Sequence, residues 1–225
     1  MKSDAKSTIE TGKAILGIEL GSTRIKAVLI DQENKPIAQG NHTWENQLVD
    51  GLWTYSIEAI WSGLQDCYAD LRSNVKNLYG IEIENLAAIG VSAMMHGYMP
   101  FNAKEEILVP FRTWRNTNTG RAAAALSDLF VYNIPLRWSI SHLYQAILDN
   151  EAHVKDIDFL TTLAGYVHWQ LTGEKVLGIG DASGMLPIDP TTHNYSAEMV
   201  AKFDKLIAPN QYSWTLQDIL PKVLS

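Results

Sequence analysis

The chain's hydrophobic period first changes at Ile57, and that change sets the class of fold. Three short strand-like runs come first, over residues 14–20, 25–31 and 37–44. Gly21, Ser22, Thr23 and Arg24 separate the first two, and Asn34, Lys35 and Pro36 separate the second from the third. Runs of this length joined by tight turns read as a three-stranded antiparallel meander. From Ile57 the spacing becomes three and four, through Ile60, Trp61, Leu64, Tyr68, Leu71, Val75 and Leu78. That stripe predicts one amphipathic helix of about six turns, stopped at Gly80. A buried strand over 86–92 follows, then a loop at Ala93, Met94, Met95, His96 and Gly97, then a second hairpin around 102–106. Residues 117–130, 139–150, 158–171 and 196–207 carry helical patterns. Strands followed by a helix, a strand and more helices imply an α/β domain with a mixed sheet.

Charge and composition close off other classes. The 18 basic residues against 25 acidic ones leave a net charge of −7, and no basic block offsets it. That excludes nucleic acid as the main partner. At 46% hydrophobic and 19% charged residues, the composition is that of a globular chain, not a disordered one. No apolar stretch approaches the roughly 18 to 20 residues of a membrane span. A single cysteine, Cys67, excludes a disulfide framework and a Cys-built zinc site. Residues 1–13 are polar, carry no apolar signal-peptide core and read as a loose, disordered tail. The expectation is a cytoplasmic protein with one domain over 14–225 and no affinity for nucleic acid or membrane.

The segment Leu16-Gly17-Ile18-Glu19-Leu20-Gly21-Ser22-Thr23-Arg24-Ile25-Lys26 joins two strands through a turn of Gly and hydroxyl residues. Such a turn directs backbone N–H groups and hydroxyls into one concavity, which suits a phosphate. Glu19 ends the first strand, where a carboxylate holds Mg²⁺, usually through water. An ordinary β-turn with surface charges is the plainer alternative. The segment is not a Walker A loop, because it lacks Gly-x-x-x-x-Gly-Lys and leads into a strand.

These residues resemble the first phosphate motif of the actin-like ATPase superfamily, and within it that of the FGGY carbohydrate kinases. Gly21, Ser22, Thr23 and Lys26 fall in register with that motif, and Glu19 stands where the family has Asp. The resemblance implies an actin-like ATPase (ribonuclease H-like) domain: a mixed sheet with three antiparallel strands first and helices on both faces. It implies ATP and Mg²⁺ as cofactors, with Glu19 on the metal side. Gly21, Ser22, Thr23 and Lys26 then face the transferring phosphate.

A second stretch, Gly90-Val91-Ser92-Ala93-Met94-Met95-His96-Gly97, resembles the family segment that delivers a Met-His pair to the sugar, with Met94 in place of the usual Gln. Trp114 and Asn116 match the family Trp-x-Asp-x-Arg segment, with Asn116 at the Asp place and Asn118 at the Arg place. By the resemblance, Met95, His96, Arg115 and Asn116 line the sugar pocket. Trp114 is read either as part of that pocket or as a core aromatic. The segment from Ile134 to Leu143, with His142 at a family Lys place, and Leu171-Thr172-Gly173 with Asp181-Ala182-Ser183 extend the resemblance. Asp181, beside small residues, reads as a turn residue bonding its own surroundings.

The chain closes on Asp218-Ile219-Leu220-Pro221-Lys222-Val223-Leu224-Ser225, similar to a segment that in the family precedes a Gly-Gly-Asp motif carrying the general base. Residues 14–225 are therefore expected to be the N-terminal, sugar-binding domain, cut before the catalytic Asp and the C-terminal ATP-binding domain. On that expectation this chain holds no catalytic residue and is inactive alone. Its partners are a sugar or polyol and the C-terminal domain of the same polypeptide, with room left for a homodimer. The alternative is a non-catalytic sugar-binding or regulatory module on the same fold. An actin-like or chaperone ATPase fits less well, because Met95-His96-Gly97 is a sugar-kinase feature.

Overall fold

A computed structural model describes residues 2–224. Its elements run α1 (Lys2–Glu10), β1 (Ile15–Leu20), β2 (Arg24–Ile30), β3 (Pro36–Thr43), β4 (Gln47–Val49), β5 (Leu52–Thr54) and α2 (Ile57–Tyr79). They continue through β6 (Ala88–Ala93), β7 (Gly97–Phe101), β8 (Arg112–Thr113), α3 (Gly120–Phe130), α4 (Ser139–Leu148), β9 (Phe159–Thr161) and α5 (Leu163–Thr172). After β10 (Val176–Gly178) and α6 (Ile179–Ala182), the last long helix is α7 (Ala197–Ile207). The chain divides into two compact units: residues Met1–Asn46 with Tyr55–Ala93, and Gln47–Thr54 with Met94–Ser225.

The first unit is a four-stranded sheet in the order β3-β2-β1-β6. β1 runs antiparallel to β2 and parallel to β6, so the sheet is mixed and begins with the meander. Alternation sends Leu16, Ile18, Leu20, Ile25, Ala27 and Leu29 to the buried face. α2 packs on that face, capped by the Ser56 hydroxyl, which accepts from Ala59 N at 3.0 Å, and ended by Gly80 at φ 71°. Its buried stripe is Ile60, Gly63, Cys67, Leu71 and Val75, while Leu78 faces out. The stripe therefore passes through two small residues, Gly63 and Cys67, while the bulkier Trp61, Leu64 and Tyr68 are only half-buried. Gly40 of β3 explains this: a Cβ there would lie 2.3 Å from Cys67 O and 2.5 Å from Leu71 N. Helix and strand backbones approach so closely that bulk is excluded at the contact. Of the helices expected on both faces, the one on this side is present. The opposite face carries Gly17, Glu19, Lys26, Gly90 and Ser92 and forms an open depression of about 560 Å³.

The second unit has its own core, in which Tyr98, Leu126, Leu143, Leu160, Phe203 and Leu216 are buried together. A three-stranded sheet, β8-β7-β9, runs through it. Buried Arg112 of β8 makes a two-pronged ion pair with Glu151, whose Nη1–Oε1 arm is 2.9 Å. His153 Nδ1 lies 3.4 Å from Glu151, and its Nε2 lies 2.8 Å from the Tyr98 hydroxyl. Burial holds His153 below the ordinary histidine value. The neutral tautomer with Nδ1–H toward Glu151 and Nε2 accepting from Tyr98 satisfies both contacts. This network fixes β7 and β8 to each other from inside.

Three expectations are corrected. Of the loose tail over 1–13, Met1 lies outside the described residues, but Lys2–Glu10 is helical. An i,i+4 pair, Lys6 with Glu10 at 3.7 Å, and burial of Ile9 give that helix both a local and a packing reason. The helix expected over 158–171 is shorter, because buried Phe159–Thr161 pairs with β7 and Thr162 starts α5 as its N-cap. The single body expected over 14–225 is two units with no linker between them. β6 ends at Ala93, and the second unit resumes at Met94.

Candidate functional site

In the first unit, the turn between β1 and β2 is held from below by aromatic donors. Trp44 Nε1 donates to Gly21 O at 2.7 Å, and Trp44 N donates to Thr23 O at 3.3 Å. The Tyr55 hydroxyl donates to Ser22 O, and its ring stacks on Trp44 with centroids 4.2 Å apart. Arg24 O accepts from Gly21 N at 3.0 Å. The turn's carbonyls are thus consumed on the inner side. The N–H groups and hydroxyls of Ser22 and Thr23 make no hydrogen bond among the described residues. Glu19 and Lys26 pair across the ladder beside the turn and both are exposed on the open sheet face. Gly21, Ser22, Thr23, Lys26 and Glu19 therefore stand together, as a donor-rich turn flanked by one cation and one carboxylate. An anion with its metal ion fits such a turn, since Mg²⁺ is commonly bound through one or two carboxylates plus phosphate oxygens.

In the second unit, Gly97 pairs with Thr113 at the end of the β7–β8 ladder. Met95–His96 and Trp114–Asn116 therefore leave the sheet at the same end. Trp114 is 41% exposed, which removes the core-aromatic reading. The Arg115 guanidinium lies 3.8 Å over the Trp53 ring, a cation–π stack that sets its plane. Trp53 comes from β5 of the hairpin Gln47–Thr54, which belongs to this unit.

Asn116 does not stand in the pocket as the family resemblance implied. It is 4% exposed and its amide is spent on the backbone. Oδ1 accepts from Trp53 N at 2.9 Å, while Nδ2 donates to Trp53 O at 2.8 Å and Thr113 O at 3.0 Å. The side chain completes a β-bridge with the hairpin, which requires a donor and an acceptor at once. A carboxylate is acceptor-only and cannot make it. Asn116 is a clamp on the hairpin, and Trp53, not anticipated from the sequence, is what it holds.

His96 is half-buried, and its Nδ1 is buried without a partner. Burial first, then the positive charge of Arg137, hold its pKa below the ordinary histidine value, against a smaller pull from the Gly184 backbone. The imidazole is therefore neutral at pH 7 and able to donate at one nitrogen and accept at the other. Gly184 packs directly under it: a Cβ there would lie 2.6 Å from Met95 O and 2.8 Å from His96 Nδ1. The Ser139 hydroxyl donates to Gly97 O at 2.6 Å, and Ser139 N donates to Gly184 O at 3.4 Å, so the start of α4 ties both segments together. Asp181 was expected to bond its own turn; it sits instead in the short helix Ile179–Ala182 and bonds a residue 19 positions away. Its carboxylate accepts from the Thr162 hydroxyl, which itself accepts from Gly165 N at 3.2 Å. Burial raises Asp181 to about 6 despite that bond. Arg137 and Gly184 were the residues sequence reasoning passed over. Both lie inside segments that matched the family, but neither has a residue type that signals a site by itself.

Among the described residues no cluster of His, Cys, Asp or Glu forms a metal cage, and no helix is long and apolar enough to cross a membrane. The profile of the FGGY family of carbohydrate kinases, N-terminal domain, matches residues 14–223. The chain is 20% identical over 197 residues to a xylulose kinase of Klebsiella pneumoniae, covering 84% of this chain and 40% of that protein. The fold is similar to that of a xylulose kinase from Lactobacillus acidophilus, with a TM-score of 0.76 at 19% identity, over 94% of this chain and 42% of that one. A gluconate kinase from the same organism has the same TM-score, identity and coverage. The chain thus spans about two fifths of the length of the curated relatives it matches. With the meander-first mixed sheet, the donor-rich turn and a family match that runs through both units, the chain belongs to the FGGY family of carbohydrate kinases, within its N-terminal domain.

Proposed function

We propose that this chain is the sugar-binding and phosphate-positioning part of a cytoplasmic, ATP-dependent carbohydrate kinase. The observation that supports this most is the turn at residues 21–24, where the Gly21, Ser22 and Thr23 carbonyls are bonded inward to Trp44 and Tyr55 while the N–H and hydroxyl donors of Ser22 and Thr23 stay free. In phosphoryl transfer the protein's work is positioning and charge stabilisation. The N–H and hydroxyl groups of Ser22 and Thr23, with Lys26, are donors already oriented before charge builds on the transferring group. Glu19 is the carboxylate that would hold Mg²⁺, and the bound ion neutralises phosphate charge. At the other site, His96 takes a sugar hydroxyl as a neutral donor–acceptor, Arg115 is held flat by Trp53, and Gly184 keeps the imidazole in place. In a protein of the relatives' length, the remaining sequence would supply the general base and the adenosine site.

The test is an ADP-release assay with a sugar panel. This chain alone should show no sugar-dependent turnover above buffer. In a protein of family length, Thr23→Val and Lys26→Ala should lower kcat more than they raise the sugar KM, because contacts to the transferring group are strongest in the transition state. An unchanged kcat in both variants would make the turn merely structural.

A further inference from the structure

The inner face of α3, with Ala122, Ala123, Leu126 and Phe130, is buried. Its outer face is exposed: Arg121, Ala124, Ala125 and Asp128 lie there at helical spacing, and Val131 and Tyr132 continue the face past the last turn. The end of this helix is strained. Val131 is its C-cap at φ 53°, in the left-handed region where Gly or Asn is the usual residue and a β-branched one fits least. Its side chain is 88% exposed, so packing within the chain does not offset the strain. Tyr132 beside it is 49% exposed, with its ring centroid 6.5 Å from that of Trp138, and Leu136 on the same loop is 39% exposed. Backbone strain concentrates where function requires it, and an apolar cluster kept in water at such a place marks a contact surface.

The charges on this face are arranged to meet a copy of themselves. Arg121 stands three residues before Ala124, and Asp128 stands three residues after Ala125. A two-fold axis through the Ala124–Ala125 pair, with the helices antiparallel, sets Arg121 of each copy against Asp128 of the other. The alanines at the centre let the helix axes approach to about 8 Å, the close end of the range for packed helices. Asp128 has no cation partner among the described residues. Arg121 is steadied by one long arm, Nη1 to Asp149 Oδ1 at 3.4 Å, which leaves the rest of its guanidinium fork free. Val131 and Tyr132 of one copy then overlie the exposed Thr117 and Asn118 that precede α3 in the other. A net charge of −7 sets copies of this chain against each other, so self-association needs a face that brings opposite charges together. This face does so twice.

We propose that two copies of this chain pair antiparallel through the outer face of α3, with reciprocal Arg121–Asp128 ion pairs about an alanine centre and Val131 and Tyr132 as apolar ends. The face uses none of the residues assigned to phosphate or sugar, so it stands or falls independently of the proposed function. α3 has 11 residues and is about 16 Å long. Two such helices with their apolar ends cover less than the roughly 800 Å² per partner of a standard interface. The dimer is therefore weak and reversible, with a Kd on the order of 10 to 100 µM.

The experiment is sedimentation velocity on the chain from about 2 to 500 µM, a range that brackets that Kd. The dimer fraction should rise with concentration. Arg121→Asp and Asp128→Arg each set like charges face to face twice, and each should raise Kd about tenfold or more. The double variant, Arg121→Asp with Asp128→Arg, restores opposite charges and should return Kd to within about threefold of wild type. Val131→Gly relieves the left-handed strain, so its melting temperature should hold or rise while its Kd rises about threefold or more. Circular dichroism melts of every variant separate a lost interface from a lost fold, and loss of the dimer with an unchanged melt supports the proposal. A chain that stays monomeric at the highest concentration overturns it. So does a dimer that either single reversal leaves intact, because some other face then holds the copies together. A double variant that stays dissociated, or a Kd unmoved by Val131→Gly, overturns it as well.

Discussion

The turn at residues 21–24, proposed for phosphate, and the His96 end, proposed for sugar, are built by opposite means. The turn is local: the strands that make it are adjacent in sequence, and its supports, Trp44 and Tyr55, follow within the same unit. The His96 end is assembled from the hairpin Gln47–Thr54, the loop at Met95–His96, the stretch Trp114–Asn116, the start of α4 and the turn around Gly184. A local site tolerates change elsewhere, because its geometry is set by short connections. An assembled site inherits the stability of every tie between its segments. Mutations should therefore act on the first through chemistry and on the second through placement.

The largest expected effect comes from breaking the platform of the local site. Gly40→Ala places a methyl 2.3 Å from Cys67 O and 2.5 Å from Leu71 N, both backbone atoms that cannot step aside alone. Overpacking of this kind should cost about 3 kcal/mol or more, lifting α2 off the sheet. Chemical denaturation followed by circular dichroism checks it, and a loss below about 1 kcal/mol would show that helix and strand are not in close contact.

Next is a titration on the assembled side. Asp181 has its pKa raised by burial from 3.8 to about 6. Between those values the folded chain holds a proton that the unfolded chain has lost. The stability from this group is complete below the unfolded value and is lost as pH rises through the folded one. The loss is roughly 2 to 3 kcal/mol by linkage. Asp181→Asn keeps an acceptor for the Thr162 hydroxyl and removes the titration. Stability measured from pH 4 to 7 should fall more steeply in the wild type than in the variant; parallel curves would mean that Asp181 is solvated.

Asn116→Asp then asks whether the clamp or the pocket is the better account. The substitution restores the family residue. If Asn116 were a sugar ligand, Asp would preserve or improve binding with little change in stability. As a clamp, Asp loses the donors to Trp53 O and Thr113 O and sets a carboxylate against two carbonyls. Destabilisation of about 2 kcal/mol is expected, with release of the Trp53–Arg115 stack visible in tryptophan fluorescence.

The sequence disclosed what depends on neighbours along the chain. The meander, the α2 stripe and its Gly80 stop, and the turn at Gly21–Ser22–Thr23 are all short-range patterns, and each formed within a few residues of its expected place. What it did not disclose depends on partners far away. The β-pairing of Phe159–Thr161 needs β7, 60 or so residues earlier, which the helical pattern around it masked. Asn116 looked like a pocket residue because its role is set by Trp53, 63 positions away. Gly184 carries no side chain to interpret, and its importance is the space it leaves for His96.

The smallest expected effect is the sharpest on the comparison, because it acts on chemistry within the assembled site. His96→Ala removes a neutral imidazole whose Nδ1 has no partner to lose and whose ring is half-buried. A histidine holding the core together would take several degrees from the melting temperature when truncated. A histidine held ready for a sugar hydroxyl would cost little stability and weaken the sugar by about 1 kcal/mol, five- to tenfold in Kd. Thermal melts and titrations with the tightest-binding sugar, run side by side, separate the two. The pH dependence adds a second handle. His96 titrates below the ordinary histidine value, so wild-type affinity for a neutral sugar should be flat from pH 7 to 8 and change only as the imidazole gains its proton at lower pH. In His96→Ala that acid-side change should vanish. A variant that melts early yet binds unchanged would assign His96 to packing, and the assembled site would lose the one residue whose chemistry, as opposed to its placement, the sequence had already named.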